Sequence, residues 1–213
     1  MIRLLRTRAA RGATVTAFTG LVAAFAIAAA APAASAADTV VKVRYPVNGS
    51  TFLKAPNATI TLGPGALRAR VDLNTGAVTA SLNLPPATGS FKEFGLIPVT
   101  ATTAFIQNGP TTGTVDLNTG AVTTTSKITL QITSLSVAGI PVPVGPACES
   151  ATPTSITLTS QPGFSIVKGG TVSGTYTVPP FANCGLTTPL LNLTITGPGN
   201  TLSLTLGKAK VIP

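Results

Sequence analysis

One nine-residue segment occurs twice in the sequence. Residues 71–79 read Val-Asp-Leu-Asn-Thr-Gly-Ala-Val-Thr, and the same letters return at residues 115–123. In each copy, apolar and polar residues alternate on both sides of an Asn-Thr-Gly triplet, which is typical of a β-hairpin with a tight loop. A chain that encodes two such hairpins is strongly biased towards an antiparallel β-structure.

The two Asn-Thr-Gly triplets are predicted to be three-residue hairpin loops. A type I turn followed by a glycine in the left-handed region closes such a loop with a bulge. Gly76 and Gly120 stand where a positive φ is needed, and glycine adopts it without a steric penalty. Asn74 and Asn118 can hydrogen-bond the backbone two residues further on. We therefore interpret these four residues as structural turn residues.

The first 36 residues carry the signals of export. Arg3, Arg6, Arg8 and Arg11 precede an apolar stretch at residues 15–31, and Ala34-Ser35-Ala36 forms a small-x-small cleavage site. This pattern is that of a secretory signal peptide. We expect cleavage after Ala36, which leaves residues 37–213 as one secreted or cell-envelope domain with no transmembrane helix.

The composition of that domain is typical of an all-β protein. Thr, Val, Gly and Pro dominate, and there is no Trp. Gly/Pro-rich turns are predicted at residues 46–50, 63–65 and 197–200. Strands are predicted at residues 40–45, 58–62, 122–133, 156–159, 171–178, 190–195 and 201–206, besides the hairpins. About ten strands in this arrangement indicate an antiparallel β-sandwich or a flattened β-barrel.

The longest alternating run changes phase near Ser134. Ile128, Leu130 and Ile132 share one face of the predicted strand, whereas Leu135 and Val137 are apolar on the opposite parity. A β-bulge restores such a pattern by inserting one extra residue. We therefore predict that this strand bends near Ser134.

Cys148 and Cys184 are the only cysteines in the chain. In an exported protein they are expected to form a disulfide. Closing a loop of this length stabilises the fold by roughly 3–4 kcal/mol in the chain-entropy model. The alternatives are a redox pair or a metal site, but two cysteines without histidine cannot complete a structural zinc site.

Histidine is absent from the sequence, which removes Ser-His-Asp and Cys-His nucleophilic triads. The carboxylates after the signal peptide are Asp38, Asp72, Glu93, Asp116 and Glu149. We interpret the two repeat aspartates as solvated hairpin charges. A glycosidase pair would need Glu93 to meet one of them across a cleft. The sequence therefore predicts no catalytic residue, no metal ligand, no cofactor and no enzymatic activity.

The charge of the chain is positive, +9 overall and +5 after the signal peptide. The basic residues stand singly along the sequence, and no basic run is interleaved with aromatic residues, which disfavours nucleic-acid binding. A mildly basic exported protein is expected to adhere non-specifically to an acidic cell envelope.

The repeats, residues 140–145 (Ile-Pro-Val-Pro-Val-Gly) and residues 177–186 (Thr-Val-Pro-Pro-Phe-Ala-Asn-Cys-Gly-Leu) resemble a group of exported actinobacterial proteins. These are uncharacterised Thr-rich β-proteins with a signal peptide and two cysteines. The resemblance covers most of the mature chain. It implies export and an all-β fold, and it brings no activity and no functional residues.

Three functions remain open from the sequence. The first is a non-catalytic structural or interaction protein of the cell envelope or medium. The second is an extracytoplasmic carrier of a lipid or another apolar ligand, for which the inward-facing Ala69, Ala80 and Ala101 would leave room; ordinary tight packing also explains these alanines. The third is a membrane β-barrel, which ranks last because aromatic girdles are nearly absent and Tyr45 and Tyr176 are the only tyrosines.

Overall fold

The structure is a computed structural model that describes residues 39–93 and 95–213. The predicted signal peptide and its cleavage site lie outside the described residues. The strands are β1 (Val40–Leu53), β2 (Ala58–Asp72), β3 (Ala77–Asn83), β4 (Ala87–Glu93), β5 (Ile97–Gln107), β6 (Thr111–Val115), β7 (Val122–Val137), β8 (Ile140–Val142), β9 (Glu149–Ser150), β10 (Thr154–Ser160), β11 (Gly170–Val178), β12 (Phe181–Ala182), β13 (Gly197–Leu206) and β14 (Lys210–Val211). A 3₁₀ turn (Gly185–Thr187) leads into one short helix, α1 (Thr188–Thr194).

Eight of these strands close into an antiparallel barrel. Their order around the barrel is β10-β11-β13-β1-β2-β3-β6-β7, and β7 pairs back with β10 to complete the ring. The prediction of an antiparallel all-β fold is confirmed. The sandwich alternative and the count of about ten strands are not confirmed, since the described residues form a closed barrel of eight strands with additional strands beside it.

Strand β7 has 16 residues and also pairs with three of the additional strands, β5, β8 and β9. Its first residues pair with β6, and the residues from Ile128 onward pair with β5 along the same edge. The register between β5 and β7 shifts at Thr133, where two β7 residues span one step of β5. This bulge is the bend that the phase change near Ser134 predicted. It allows Ile132 and Leu135 to be buried although their parities differ.

Two predicted turns are instead parts of long strands. Strand β1 runs through residues 46–50, and β2 runs through residues 63–65. The register moves from Val47 opposite Gly65 to Gly49 opposite Leu62, so Gly63 and Pro64 together face the single residue Asn48. The Gly and Pro residues mark a bulge between paired strands, not a reversal of the chain. The predicted turn at residues 197–200 is likewise the start of β13.

The predicted strand at residues 190–195 is wrong, because this segment lies in α1. Pro189 occupies the first turn of the helix, where its missing N–H costs nothing. Leu191 and Ile195 lie four residues apart, share one face of the helix and are buried in the core. The Asn192 side chain both accepts from the Phe181 N–H and donates to the Phe181 carbonyl, at 2.6 and 3.0 Å. Tertiary packing therefore overrides the β-propensity of this Leu/Thr-rich segment.

The two repeated hairpins share the same turn hydrogen bond, but their loops are longer than the predicted three residues: residues 73–76 join β2 to β3, and residues 116–121 join β6 to β7. The Gly76 N–H donates to the Asp72 carbonyl at 2.8 Å, and the Gly120 N–H donates to the Asp116 carbonyl at 2.7 Å. Both glycines have a positive φ, 71° and 76°. Apart from these shared features, their surroundings differ, because Gly76 contacts the backbone of Val115 whereas Gly120 is open to solvent.

The disulfide prediction is confirmed. Cys148 and Cys184 are bonded and fully buried. Cys148 precedes β9, and its carbonyl accepts from the Ile132 N–H of β7 at 2.9 Å. Cys184 begins the turn that leads into α1. The bond therefore fastens the helix-bearing segment to the long strand β7.

The two repeats provide a matched test of the turn glycines. An alanine at residue 120 meets nothing within 4 Å, so Gly120→Ala should cost only the left-handed backbone penalty, about 1–2 kcal/mol. At residue 76 the added Cβ would lie 2.3 Å from the Val115 carbonyl oxygen. Gly76→Ala should therefore lower the free energy of unfolding by more, as measured by urea denaturation. Equal losses at the two positions would contradict the role of the Val115 contact.

The disulfide can be tested by removing both sulfurs. Cys148→Ala/Cys184→Ala should reduce the free energy of unfolding by about 3–4 kcal/mol, because the bond closes a loop with a sequence separation of 36 residues in the unfolded chain. Wild-type protein with a reductant serves as the control and should unfold at the same denaturant midpoint as the double variant. A midpoint that reduction does not move would rule out this contribution.

Candidate functional site

A small apolar cavity of about 80 Å³ lies inside the barrel. Its walls come from β1, β2, β3, β6, β7, β10, β11 and β13. Ala69 and Ala80 are paired across β2 and β3, and their small side chains leave this space beside Val71 and Val78. The alanines that the carrier hypothesis singled out therefore do line a cavity. Its volume is below the 150 Å³ that holds a benzene molecule and far below the 300–1,000 Å³ of usual ligand pockets.

A loop formed by residues 161–169 covers this cavity, and we refer to it as the lid loop. Phe164 and Ile166 project from the lid loop onto the cavity wall. The Tyr45 hydroxyl, which lies in the wall, donates to the Ile166 carbonyl at 2.6 Å. From the other side, the Ala209 N–H donates to the Val167 carbonyl at 3.0 Å. The lid loop is therefore fastened to the barrel by hydrogen bonds from two segments.

A second apolar cavity, of about 50 Å³, lies towards the end of the barrel that carries α1. Ala101, the third alanine singled out by the sequence, lines it together with Phe91, Phe105 and Ile195. Tyr176 lines this second cavity as Tyr45 lines the first. The Tyr176 hydroxyl shares a hydrogen bond of 2.7 Å with the Thr51 hydroxyl. Each cavity thus contains one tyrosine whose hydroxyl already has a partner.

The electrostatics of both cavities oppose proton transfer at neutral pH. Burial raises the pKa of Tyr45 above its ordinary value. Burial also raises the pKa of Tyr176, although its hydrogen bond with Thr51 acts in the opposite direction. Both phenols therefore remain protonated and neutral. The cavities can accommodate small apolar groups, but they offer no general base.

The barrel wall beside the first cavity depends on a side chain that the sequence did not single out. Strand β3 loses its β6 neighbour after the Ala80–Thr111 pair. Beyond this pair, the Gln107 side-chain amide makes the hydrogen bonds that a neighbouring strand would make with β3. It accepts from the Leu82 N–H at 2.9 Å and donates to the Ala80 carbonyl at 3.1 Å. The only sequence signal for this role is a polar residue at the end of an apolar strand.

The carboxylates do not assemble into a site. Asp72 and Asp116 lie in the hairpin loops, whereas Glu93 lies in the β4–β5 hairpin near the opposite end of β7. The sixteen residues of β7 span on the order of 50 Å along the strand, and a glycosidase pair needs at most about 10 Å. Glu149 pairs with Ala182 in the β9–β12 ladder. Glu93 therefore does not meet Asp72 or Asp116 across a cleft.

Each repeat aspartate instead caps its own turn. Asp72 Oδ1 accepts from the N–H groups of Asn74 and Thr75, at 2.8 and 3.2 Å, and Asp116 Oδ1 accepts from Asn118 and Thr119 at the same distances. These backbone hydrogen bonds lower the pKa of both carboxyl groups. The interaction that the sequence assigned to Asn74 and Asn118 is therefore made by the aspartates, two residues earlier.

No group of three or more His, Cys, Asp or Glu residues could hold a metal ion in the described part of the chain. Nor does any helix in residues 39–93 or 95–213 have the length and apolar character to span a membrane. Comparison with known proteins adds no assignment, since no family model, no curated protein and no solved structure matches the chain.

The aspartate caps predict how stability depends on pH. Because the folded-state pKa of Asp72 and Asp116 is lowered, the ionised carboxylates stabilise the fold above the ordinary aspartate pKa of about 3.9. This contribution is lost as the pH falls through the lower folded-state pKa. Asp72→Asn/Asp116→Asn keeps an acceptor oxygen in each turn but removes the titrating group.

We therefore expect the urea midpoint of the wild type to fall more steeply below about pH 4 than that of the double variant. Each single variant should show an intermediate slope, because the two turns are equivalent. Parallel midpoint curves for all four proteins would show that the turn hydrogen bonds do not favour the ionised form.

Proposed function

We propose that the protein is a non-catalytic interaction protein of the extracytoplasmic space, which contacts its partner through the outer surface of the barrel. The observation that carries the proposal is the filled interior. The protein's own side chains occupy both ends, Phe164 and Ile166 at one and Leu191 and Ile195 at the other, and the cavities between them are too small for a lipid.

The chemistry of the outer surface supports the same function. Strands β4 and β5 face solvent with hydroxyl side chains that pair across the strands, Thr88 with Thr102 at 2.9 Å and Ser90 with Thr100 at 2.8 Å. Thr125 and Thr157 form a third such pair between β7 and β10. Such faces are ordered by hydrogen bonds and remain open to water or to a polar partner.

The disulfide favours a location outside the cytoplasm. Cys148 and Cys184 are joined and buried, and such bonds persist in oxidising compartments. Together with the signal-peptide pattern of residues 1–36, this supports export to the cell envelope or the medium. A cell-envelope component is therefore the class of partner that the proposal implies.

The second candidate function is a carrier of an apolar ligand, and one observation favours it. The cavity of about 80 Å³ is lined mostly by aliphatic side chains and lies directly beneath the lid loop. Displacement of Phe164 and Ile166 would enlarge this space and open it to solvent. The carrier function requires that movement, whereas the interaction function does not.

Native mass spectrometry of the protein purified from its producing cells separates the two functions. For an interaction protein we expect the mass of the bare polypeptide, reduced by the two hydrogens lost in forming the disulfide. The cavities have no room for a retained lipid. A discrete added mass that passes into organic solvent would favour the carrier function instead.

Binding of a fluorescent fatty acid gives a second measurement with matched variants. Phe164→Ala removes a lid side chain above the larger cavity, and Phe91→Ala removes a wall side chain of the smaller one. For an interaction protein, the wild type should not bind the fatty acid at micromolar concentration. Binding by the wild type that Phe164→Ala alters and Phe91→Ala leaves unchanged would contradict the proposal.

A further inference from the structure

The strand register gathers basic residues that stand apart in the sequence. Arg44 of β1 lies directly opposite Arg68 of β2 and, on its other side, opposite Lys210 of β14. Lys42 lies directly opposite Arg70 in the same pair of strands. Side chains two residues apart on a strand point to the same face. These five residues therefore share one outer surface of the barrel, which we call the basic face.

The basic face is exposed, and the residues that alternate with it along β1 and β2 face the interior. Arg44, Arg68, Arg70 and Lys210 are exposed, and Lys42 is half-buried. The residues that alternate with them, Val43 and Ala69 among others, are buried in the core. Because these buried neighbours fix the register, the cations cannot move to another face without displacing the core.

Like charges that lie directly opposite each other across paired strands repel and destabilise the sheet. On the basic face this occurs in two successive cross-strand rungs, Lys210-Arg44-Arg68 and Lys42-Arg70. The carboxylate nearest in register is Asp72, two residues beyond Arg70 on β2. Its Oδ1 already accepts from the Asn74 and Thr75 N–H groups in the turn. The fold thus maintains a local excess of positive charge that an external anion would neutralise.

Two shallow grooves cross the basic face and meet at Arg68 and Ser81. The first has a volume of about 380 Å³ and is lined by Arg44, Arg68, Ser81 and Asn83, with Pro64 and Pro85 at its sides. The second has a volume of about 320 Å³ and brings together Lys42, Arg68, Arg70, Thr79 and Ser81. Hydroxyl and amide donors therefore stand beside the cations along a continuous path.

The number of donors in each rung favours phosphate over carboxylate. Three cations lie side by side in register in the rung of Lys210, Arg44 and Arg68, whereas a carboxylate offers only two oxygens and one charge. A phosphate group presents more oxygens to the arginine forks, and guanidinium groups bind it in a bidentate manner. The two rungs are separated by two residues along the strands, about 7 Å, so two phosphate groups of one linear chain can occupy both rungs at the same time.

The same grooves lack the features of a nucleic-acid site. Single-stranded nucleic acids are held by aromatic side chains on which the bases stack. No aromatic residue lines either groove in the described part of the chain. The occupant that fits is therefore a linear polymer with phosphate charges and without stacked bases.

We propose that the basic face binds a linear phosphate polymer of the extracellular space, with Arg44, Arg68 and Arg70 as its principal contacts. This inference rests on the proposed interaction function and names the chemistry of the partner. It replaces the expectation of non-specific adherence from scattered charges, because the register of β14, β1 and β2 concentrates half of the basic residues that follow the signal peptide.

The test is a titration of the folded, disulfide-bonded protein with inorganic polyphosphate of defined chain length, followed by calorimetry. We expect saturable binding that weakens between about 50 mM and 200 mM salt, since bound cations release counterions. Arg44→Gln/Arg68→Gln/Arg70→Gln should weaken binding by about tenfold or more through the loss of charge-assisted hydrogen bonds. Its unfolding midpoint should equal or exceed that of the wild type, because repulsion is relieved.

A matched control separates the basic face from net charge. Lys92→Gln/Lys127→Gln/Lys168→Gln removes the same charge from exposed residues elsewhere on the barrel. This control should retain most of the affinity for polyphosphate. Equal weakening in the two triple variants would overturn the proposal, because net charge alone would then explain the binding. If the arginine variant is unstable, Arg44→Lys/Arg68→Lys/Arg70→Lys keeps the charge and should bind more weakly than the wild type.

Four further probes define the occupant. Orthophosphate that binds as tightly as the polymer would overturn the requirement for a chain. Polyglutamate that binds as tightly would overturn the preference for phosphate, and an oligo-dT strand that binds as tightly would indicate a nucleic-acid site. Tighter binding to anionic phospholipid vesicles would indicate a membrane surface. Failure with every polyanion would overturn this inference alone, whereas a retained lipid in native mass spectrometry would overturn the interaction function itself.

Discussion

The pairing of β7 with β10 closes the barrel, and the interior of the protein depends on it. Without this ladder, β7 and β10 would be the open edges of one sheet, and exposed edges invite pairing with other chains. With it, the inward side chains of eight strands meet in one core. The lid loop follows β10 directly, so the same closure also positions Phe164 and Ile166 over the larger cavity.

Local patterns predicted the features that depend on local rules. The period of two in the repeats predicted the hairpins, and the phase change near Ser134 predicted the bulge at Thr133. The two cysteines predicted the disulfide. The Gly/Pro clusters were predicted to be turns, and this prediction was wrong for a physical reason. Gly63 and Pro64 are accommodated as a bulge because β1 continues on one side, and that neighbour lies 15 or more residues away in the sequence. The strand prediction for residues 190–195 was wrong for a similar reason, since α1 is stabilised by contacts with Phe181 and the core that are not local in the sequence.

The candidate sites were less predictable than the fold, because each is a product of register. Tyr45 and Ile166 are 121 residues apart, yet their hydrogen bond fastens the lid loop. Gln107 supports β3 only because β6 begins at Thr111 and its pairing with β3 stops there. Arg44, Arg68 and Lys210 stand singly in the sequence, so a search for basic runs could not detect them. Ala69 and Ala80 were expected to face inward, but the size of the cavity between them depends on every strand around it.

The buried polar side chains in the described part of the chain all have partners, whereas the cations of the basic face lie opposite like charges. This contrast is informative about function. Among the described residues, no buried side-chain nitrogen or oxygen lacks a hydrogen-bond partner. Buried Asn200, for example, is satisfied by contacts with Lys54, Tyr176 and Gly197. Sequences specify folds by such consistency, and departures from it concentrate at functional sites. The like-charge rungs of the basic face are such a departure: they oppose folding, and an anion from outside would remove that opposition.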